Sequence, residues 1–219
     1  MDDYIFSRFT PTEEYRRDLV DFFRANTNSE MGGLRLFDGT YSHLLQNPRE
    51  LADFIFALKK YDAEVAPIRS LLEIGFSAGM TNTILNRFFK FEKILAIDDF
   101  SAPINGTSLL ANLRFKNLTV LCGRSDSERA LLMAKSMAPF DLVFIDGGHT
   151  YDAVRADVTN YTPMLAAKGV LALHDIAATA HPDVARVWSE VSSENAWKTE
   201  EFVCRDYPVV FGIGAATRR

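Results

Sequence analysis

Residues 71–81 read Leu-Leu-Glu-Ile-Gly-Phe-Ser-Ala-Gly-Met-Thr, a short apolar run that leads into a glycine-containing turn. The run has the length of a buried strand, and the residues from Thr81 to Phe89 are predicted to form a helix. Gly75 and Gly79 allow either a tight turn or the close approach of a ligand to the backbone. Ligands of open parallel sheets bind beyond the carboxyl ends of the strands, so this turn is the first candidate binding position.

Further apolar runs follow at the spacing that is typical of alternating strands and helices in a parallel sheet. They lie at Ile94–Ile97, Leu118–Leu121, Leu142–Ile145 and Val170–Leu173. Four further helices are predicted. The first follows Thr107, and the second begins at a cap at Ser125, with Glu128 three residues later. The third has Val154, Val158, Tyr161 and Leu165 on one face and stops near Lys168-Gly169, and the fourth covers residues 182–192. The sequence therefore predicts five parallel strands with helices packed on the sheet.

The carboxyl end of the chain departs from this pattern. The apolar runs Glu201–Cys204 and Val209–Ile213 are separated only by Arg205-Asp206-Tyr207-Pro208. That distance suits an antiparallel hairpin and is too short for a parallel crossover.

Two helices are predicted before the sheet, because Thr10-Pro11 with Glu13 and Asn47-Pro48 with Glu50 have the spacing of a capping box with proline at the first helical position. We therefore divide the chain into a helical extension over residues 1–45 and a sheet domain over residues 46–219. The aromatic residues of the extension predict either a lid over an acceptor pocket or, more simply, helix packing or a dimer contact. They are Tyr4, Phe6, Phe9, Tyr15, Phe22, Phe23, Phe37 and Tyr41.

The composition argues against several classes of partner. The net charge is −5, without a basic stripe, so binding to nucleic acid is not expected and a small or neutral substrate is favoured. No apolar run approaches the length of a membrane span, and the start Met-Asp-Asp-Tyr has no signal-peptide pattern. Cys122 and Cys204 lack the spacing of a zinc site or a disulfide framework. These features predict a cytoplasmic protein that does not bind membranes.

Charged residues follow the first three predicted strands. Glu73 at the glycine turn would repel phosphate and attract an ammonium or sulfonium group. Asp98 lies 25 positions after Glu73, near the separation at which an acidic residue meets a ribose, whereas Asp99 is expected to be a solvated strand end. Gly123-Arg124-Ser125-Asp126 follows the third strand, where the hydroxyl of Ser125 either caps a helix or faces a purine.

The fourth and fifth predicted strands bring carboxylates and an imidazole to the same edge. Asp146-Gly147-Gly148-His149 follows the fourth strand, and His174-Asp175 follows the fifth. His149 is the candidate general base, with a core position or a helix cap as the simpler alternative. Asp146 and Asp175 are candidate ligands of Mg²⁺, a cation that prefers oxygen, although an equally simple interpretation is that Asp146 caps the loop and Asp175 binds nothing.

This ordered set of residues resembles the class I S-adenosylmethionine-dependent methyltransferases over about residues 45–215. Residues 144–151, Phe-Ile-Asp-Gly-Gly-His-Thr-Tyr, followed by residues 169–175, Gly-Val-Leu-Ala-Leu-His-Asp, look like the small-molecule group called family 24. The resemblance implies one doubly wound, Rossmann-like α/β sheet of seven strands, mostly parallel with an antiparallel terminal hairpin, so that residues 46–219 form the S-adenosylmethionine-binding domain.

The resemblance also implies roles for particular residues. The cofactor's methionine part would be surrounded by Glu73, Gly75, Ser77, Gly79 and Thr81, its ribose held by Asp98, and its adenine bordered by Arg124, Ser125 and Asp126. In the related metal-dependent O-methyltransferases, a metal carboxylate follows the fourth strand, a base lies three residues later, and an adjacent pair follows the fifth strand. Asp146, His149 and Asp175 match this pattern, but Ile176 stands where a second polar ligand is expected. Either His174 or a substrate oxygen could supply the missing ligand, and the sequence does not choose between them.

These observations predict O-methylation of a small hydroxylated molecule, with His149 as base, Asp146 in the catalytic site, and Mg²⁺ held by Asp146 and Asp175. Two alternatives stay open at this point: a metal-independent methyltransferase, and a regulatory or scaffold protein that binds S-adenosylmethionine without catalysis. The partners expected are a small-molecule acceptor and, as one alternative for the aromatic extension, a second copy of the chain.

Overall fold

The computed structural model describes residues 2–25, 46–102, 113, 115–207 and 209–219. Its strands form one seven-stranded sheet in the order β3-β2-β1-β4-β5-β7-β6. The strands are β1 (Ser70–Ile74), β2 (Lys93–Asp98), β3 (Leu118–Cys122), β4 (Phe140–Ile145), β5 (Leu165–His174), β6 (Trp197–Phe202) and β7 (Ile213–Arg218). The helices are α1 (Asp2–Ser7), α2 (Glu13–Ala25), α3 (Pro48–Glu64), α4 (Met80–Phe89), α5 (Glu128–Met137), α6 (Tyr151–Tyr161) and α7 (Pro182–Ser193).

The topology confirms the predicted fold class. Strands β1 to β5 pair in parallel, and β7 runs antiparallel to both of its neighbours, β5 and β6. The hairpin bounds differ from the prediction, because β7 begins only at Ile213. The apolar run before it lies instead in the loop that brings Phe211 to the cavity described below. A continuous apolar run has no periodicity that would distinguish a loop from a strand.

Helices cover both faces of the sheet, which explains why the central strands are apolar without alternation. Residues of β1 illustrate this division: Leu71 packs with the side chains of α1 to α4, whereas Leu72 packs with those of α5 to α7. The carboxyl ends of β1 to β5 form one edge of the sheet between the two helix layers. The polar residues that the sequence analysis named follow these strand ends.

The described part of the extension packs into the core. Tyr15, Leu19 and Phe23 of α2 are buried in the same cluster as α3 and α4. The Tyr15 hydroxyl donates to the carbonyl of Ile5 at 2.5 Å, and Arg16 donates to both carboxylate oxygens of Asp53 at 2.8 and 2.9 Å. Helix packing thus accounts for these aromatic side chains. The lid stays a prediction for residues 26–45, which, like the side chain of Tyr4, lie outside the described residues.

Several predicted helix ends are wrong by two residues or more. The caps are Thr12 and Ser127, whose hydroxyls accept from the amides of Tyr15 and Ala130, each at 3.3 Å. Thr10 and Ser125 were the expected caps, and spacing alone cannot choose between two hydroxyl residues that lie two positions apart.

Helix α6 ends at Tyr161, well before the stop predicted near Lys168-Gly169, because Pro163 enters a 3₁₀ turn and β5 begins at Leu165. The helix predicted after Thr107 falls outside the described residues. None of the helices that the described residues form has the length and apolar composition needed to cross a bilayer.

Candidate active site

A cavity of about 750 Å³ opens at the carboxyl ends of the parallel strands. Most of the predicted site residues line it. They are Gly75, Ser77, Thr81, Asp98, Arg124, Ser125, Asp126, Asp146, His149 and Asp175. The structure therefore brings together residues that are spread over about 100 positions of the chain.

The glycine turn after β1 is fitted closely against the loop after β4. Gly75 has φ +88°, and a Cβ atom there would lie 1.8 Å from the backbone oxygen of Asp146. Only glycine satisfies both conditions. The turn is also tied to β2, because Asp98 accepts hydrogen bonds from the amides of Ser77 at 2.7 Å and Phe100 at 2.6 Å. These contacts fix the Asp98 carboxylate at the cavity wall.

Glu73 and Gly79 lie behind the cavity wall and do not line it. The side chain of Glu73 is buried under α4, where it accepts a hydrogen bond from the Asn82 amide at 2.8 Å. Burial raises the pKa of Glu73 to about 8. Gly79 has φ +75° and forms the N-cap of α4. Both residues therefore support the glycine turn from the side that faces away from the cavity.

The loop after β3 forms another part of the wall. Arg124 and Asp126 form an exposed ion pair, with nitrogen–oxygen distances of 2.9 and 2.5 Å. The Ser125 carbonyl accepts from the Tyr161 hydroxyl at 2.5 Å. Asp157, which sequence analysis missed, also lines the cavity, and burial raises its pKa to about 6. Its position on the buried side of α6 was the available signal, since a carboxylate there departs from the apolar pattern.

His149 is paired and stacked at the opposite end of the cavity. Its Nε2 lies 2.9 Å from Oδ2 of Asp175, and its ring stacks on that of His181 with 3.9 Å between centroids. The hydrogen bond to Asp175 raises the pKa of His149. An imidazole held by a carboxylate at the cavity surface has the arrangement of an oriented general base.

His174 is buried between three carboxylates. Its Nδ1 lies 3.1 Å from Oδ1 of Asp146 and 3.5 Å from Oδ1 of Asp175, while its Nε2 lies 3.5 Å from Oε1 of Glu50. Burial alone would lower the pKa of His174, but the negative charge of Asp146 and its neighbours raises it well above the usual histidine value. The imidazole thus balances charge that would otherwise be costly to bury.

Sequence analysis also missed the role of Glu50, which it interpreted as part of a capping box. The structure places this side chain in the core, where Oε2 accepts from the amide of Gly212 at 2.6 Å. Burial raises the pKa of Glu50. The available signal was its position one turn before Phe54, on the apolar face of α3.

Two further cavity residues gave no signal in the sequence. Gln46 is buried and donates from Nε2 to the Thr81 hydroxyl at 3.1 Å. Phe211 stacks on the ring of His174, with 5.6 Å between centroids. Both come from irregular segments, where periodicity carries no information about burial.

The donors around Asp175 fit a divalent cation. Asp146, His174 and Asp175 each offer one ligand atom, and these atoms lie within 4.8 Å of one another. Oδ1 of Asp175 is buried without a hydrogen-bond partner in the described part of the chain. Ile176, where a second polar ligand was expected, is buried among apolar side chains. The third possible donor in this group is His174, which directly precedes Asp175.

Comparison with known proteins bears on the family and the fold. Residues 72–176 match the family described as a methyltransferase domain, family 24. No curated protein matches the chain by sequence.

Solved structures share the fold at low sequence identity. An O-methyltransferase from Bacillus cereus in complex with S-adenosylhomocysteine has a TM-score of 0.59 and 13% identity, covering 100% of this chain and 96% of that one. The O-methyltransferase TomG from Streptomyces achromogenes, in complex with S-adenosylmethionine, has a TM-score of 0.58 and 16% identity, covering 99% and 95%.

A third structure is MycE, a methyltransferase of the mycinamycin biosynthetic pathway, in complex with Mg, S-adenosylhomocysteine and mycinamycin VI. It has a TM-score of 0.53 and 14% identity, and the match covers 76% of this chain and 49% of MycE, so the chain spans about half the length of that protein. The family match covers residues 72–176, just under half of the chain, and the seven-stranded sheet that contains them has the fold of the class I S-adenosylmethionine-dependent methyltransferases.

Proposed function

We propose that this methyltransferase transfers the methyl group of S-adenosylmethionine to a hydroxyl group of a small molecule, with His149 as general base. The observation that carries the proposal is the pair formed by His149 and Asp175, 2.9 Å apart at the surface of the cavity. That pair lies in the same cavity as Asp98 and the glycine turn, which are the features suited to a nucleoside cofactor.

The cofactor is proposed to lie along the ends of β1, β2 and β3. Its methionine part would rest on the turn that Glu73 and Gly79 support from behind, against Gly75, Ser77 and Thr81. Asp98 would accept from the ribose hydroxyls, because a carboxylate that already binds two amides retains free lone pairs. The adenine would lie beside Arg124, Ser125 and Asp126.

The reaction is an in-line displacement at the methyl carbon. His149 takes the proton of the acceptor hydroxyl, and the oxygen then attacks the methyl group as the carbon–sulfur bond breaks. S-adenosylmethionine would supply the methyl group and would leave as the neutral thioether S-adenosylhomocysteine, while the proton stays on His149, whose imidazolium is stabilised by Asp175. Positioning supplies much of the rate enhancement, because donor and acceptor are aligned in one cavity.

Asp146, His174 and Asp175 are the residues that would hold a divalent cation. A cation there would lower the pKa of an acceptor hydroxyl bound to it. A metal-independent form of the same reaction is the second candidate, because His174 already lies between these carboxylates and balances their charge. Activity that persists after chelation would favour the second form.

A small acceptor is favoured over a nucleic acid because the net charge is −5 and the sequence lacks a basic stripe. A cavity of about 750 Å³ is in the range of small-ligand sites. The cytoplasmic location and the homodimer stay predictions. The hydroxylated acceptor is expected to enter at the end of the cavity where His149 and His181 are stacked.

The test is a transfer assay with S-adenosylmethionine and a panel of hydroxylated small molecules, in which mass spectrometry detects the methylated product. His149→Ala is expected to lower kcat by roughly 10²–10⁴-fold while S-adenosylhomocysteine affinity is retained. Full turnover by this variant would contradict the role of His149. Binding of the cofactor without transfer to any acceptor would instead favour a regulatory or scaffold protein.

A further inference from the structure

We infer that the cation site includes Nδ1 of His174 beside Asp146 and Asp175, and that this nitrogen donor makes the site bind a transition-metal dication more tightly than Mg²⁺. Glu50, on the other side of the ring, positions the imidazole. This inference rests on the proposed function, because it assigns the ion of the same site. The departure from an all-oxygen ligand set lies in the chain's own residues: Ile176 offers no donor, and His174 does.

The distances between the donors suit one ion. Ligand atoms at adjacent corners of an octahedral site with bonds of about 2.1 Å are roughly 3 Å apart. Nδ1 of His174 lies 3.1 Å from Oδ1 of Asp146 and 3.5 Å from Oδ1 of Asp175. A cation can therefore take the place of the proton between the ring nitrogen and these carboxylates with small side-chain shifts.

The unpaired atoms of the cluster point to the same conclusion. Oδ1 of Asp175 is buried without a hydrogen-bond partner in the described residues, and the Asp175 residue is 5% exposed. Its other carboxylate oxygen is occupied by His149. The free oxygen is thus available to a cation while His149 remains available as base.

Glu50 accounts for the orientation of the imidazole. Metal-bound histidines usually donate their second N–H to a carboxylate or a carbonyl, which fixes the tautomer. Nε2 of His174 faces Oε1 of Glu50 at 3.5 Å, and within the described residues neither atom has a hydrogen-bond partner. A proton on Nε2 leaves the lone pair of Nδ1 directed at Asp146 and Asp175, as a ligand requires.

The carboxylate of Glu50 is itself fixed. Its Oε2 accepts from the amide of Gly212, which has φ +87° and would place a Cβ 2.9 Å from the side chain of Ile176. The rings of Phe144 and Phe211 lie beside the imidazole, with centroid distances of 6.5 and 5.6 Å. The ring therefore has little freedom to turn away from the carboxylates.

The donor set decides the class of ion. Mg²⁺ prefers oxygen ligands, whereas imidazole suits the later first-row transition metals. A site with two carboxylates and one imidazole is thus expected to bind Co²⁺ more tightly than Mg²⁺. Replacing His174 by glutamate would give an all-carboxylate set and is expected to shift the preference toward Mg²⁺.

The test is calorimetric titration of the chelator-treated protein with CoCl₂ and with MgCl₂, followed by the visible spectrum of the cobalt complex. The wild type is expected to bind one Co²⁺ at least 100-fold more tightly than Mg²⁺. In His174→Glu, the ratio of the Co²⁺ affinity to the Mg²⁺ affinity is expected to fall at least tenfold. Glu50→Gln is expected to weaken Co²⁺ binding by about 10–100-fold. Glu64→Gln, an exposed site on the same helix, serves as the control and is expected to bind as the wild type does.

Equal affinities for the two ions, no cobalt binding below millimolar concentration, or an unchanged ratio in His174→Glu would each overturn the inference. The fold of each variant is checked by circular dichroism, and Asp175→Asn, which alters a proposed ligand, is expected to weaken Co²⁺ binding if Glu50→Gln does not fold. S-adenosylhomocysteine binding and methyl transfer are measured separately. A protein that binds the cofactor and transfers methyl groups without cobalt selectivity would contradict this inference and leave the proposed function intact.

Discussion

The two ends of the cavity are built by different means. At the ends of β1 and β2, the wall is mainly backbone: Gly75 fits against a neighbouring loop, and Asp98 is held by two nearby amides. At the ends of β4 and β5, the wall is a network of side chains that includes His174, and Glu50 contacts this histidine from a distant part of the chain. The first end depends on local geometry, and the second depends on how remote elements pack.

Gly75→Ala is expected to have the largest effect, because this position joins the two ends. The added Cβ would lie 1.8 Å from the backbone oxygen of Asp146, in a conformation with φ +88° that alanine rarely adopts. Steric strain of this kind is expected to cost roughly 3–5 kcal/mol of unfolding free energy and to abolish cofactor binding. Denaturant unfolding and calorimetry would measure both losses. Wild-type stability in the variant would mean that the two loops are not in contact.

Glu73→Gln tests whether a buried side chain at the cofactor end acts only through the fold. The folded-state pKa of about 8 exceeds the unfolded value of 4.5, so unfolded chains release a proton at lower pH than folded ones. Wild-type stability is then expected to fall by roughly 1 kcal/mol per pH unit between about pH 5 and 8. The variant removes this contribution, so its stability relative to the wild type should rise across that window in unfolding experiments.

The same variant distinguishes a structural from a direct role for Glu73. Because the side chain bonds to Asn82 behind the cavity wall, S-adenosylhomocysteine affinity is expected to change less than about threefold. A large loss of affinity in a folded variant would mean that Glu73 contacts the cofactor, as the sequence motif predicts.

Asp98→Ala is expected to weaken S-adenosylhomocysteine binding by about 10–100-fold. It removes the proposed ribose acceptor and the bonds that hold the amides of Ser77 and Phe100, and hydrogen bonds to a charged group are worth about 1.5–3 kcal/mol. Cobalt affinity at the other end of the cavity serves as the internal control and should be unchanged. Equal losses at both ends would show that the two regions are not independent.

Of these substitutions, Tyr161→Phe is expected to have the smallest effect on stability and cofactor affinity. It removes the hydroxyl that donates to the Ser125 carbonyl at 2.5 Å, beside the proposed adenine position. The expected loss is about 1 kcal/mol of unfolding free energy, with a change in cofactor affinity of a fewfold at most. Thermal unfolding with and without S-adenosylhomocysteine would measure both. A loss of cofactor affinity as large as that of Asp98→Ala would mean that the loop after β3 matters as much for cofactor binding as Asp98 does.

The contrast between the two ends also explains what the sequence could predict. The strands and the turn at Gly75 follow from local patterns, because apolar runs and glycine positions are short-range signals. The apolar face of α3 indicates that Glu50 is buried, but its contact with Gly212 could not be predicted, because the two residues lie 162 positions apart and the local pattern fits a capping box equally well. The position of Phe211 at the cavity could not be predicted for a related reason, because residues in a loop have no periodic pattern of burial.

The residues proposed to carry the chemistry could be predicted in part. Asp146, His149 and Asp175 could be named because they directly follow apolar runs, and parallel strands end at a common edge. Their mutual arrangement could not be predicted, because the pairing of His149 with Asp175 and its stacking on His181 depend on side-chain packing across three loops.

The most direct test of the account is a calorimetric titration of the purified protein with S-adenosylhomocysteine, repeated on Asp98→Ala and His149→Ala. The account predicts saturable binding at one site per chain, weakened by Asp98→Ala and retained by His149→Ala, because the two residues lie at different ends of the cavity. Absence of binding to folded wild-type protein, or an equal loss in both variants, would contradict it.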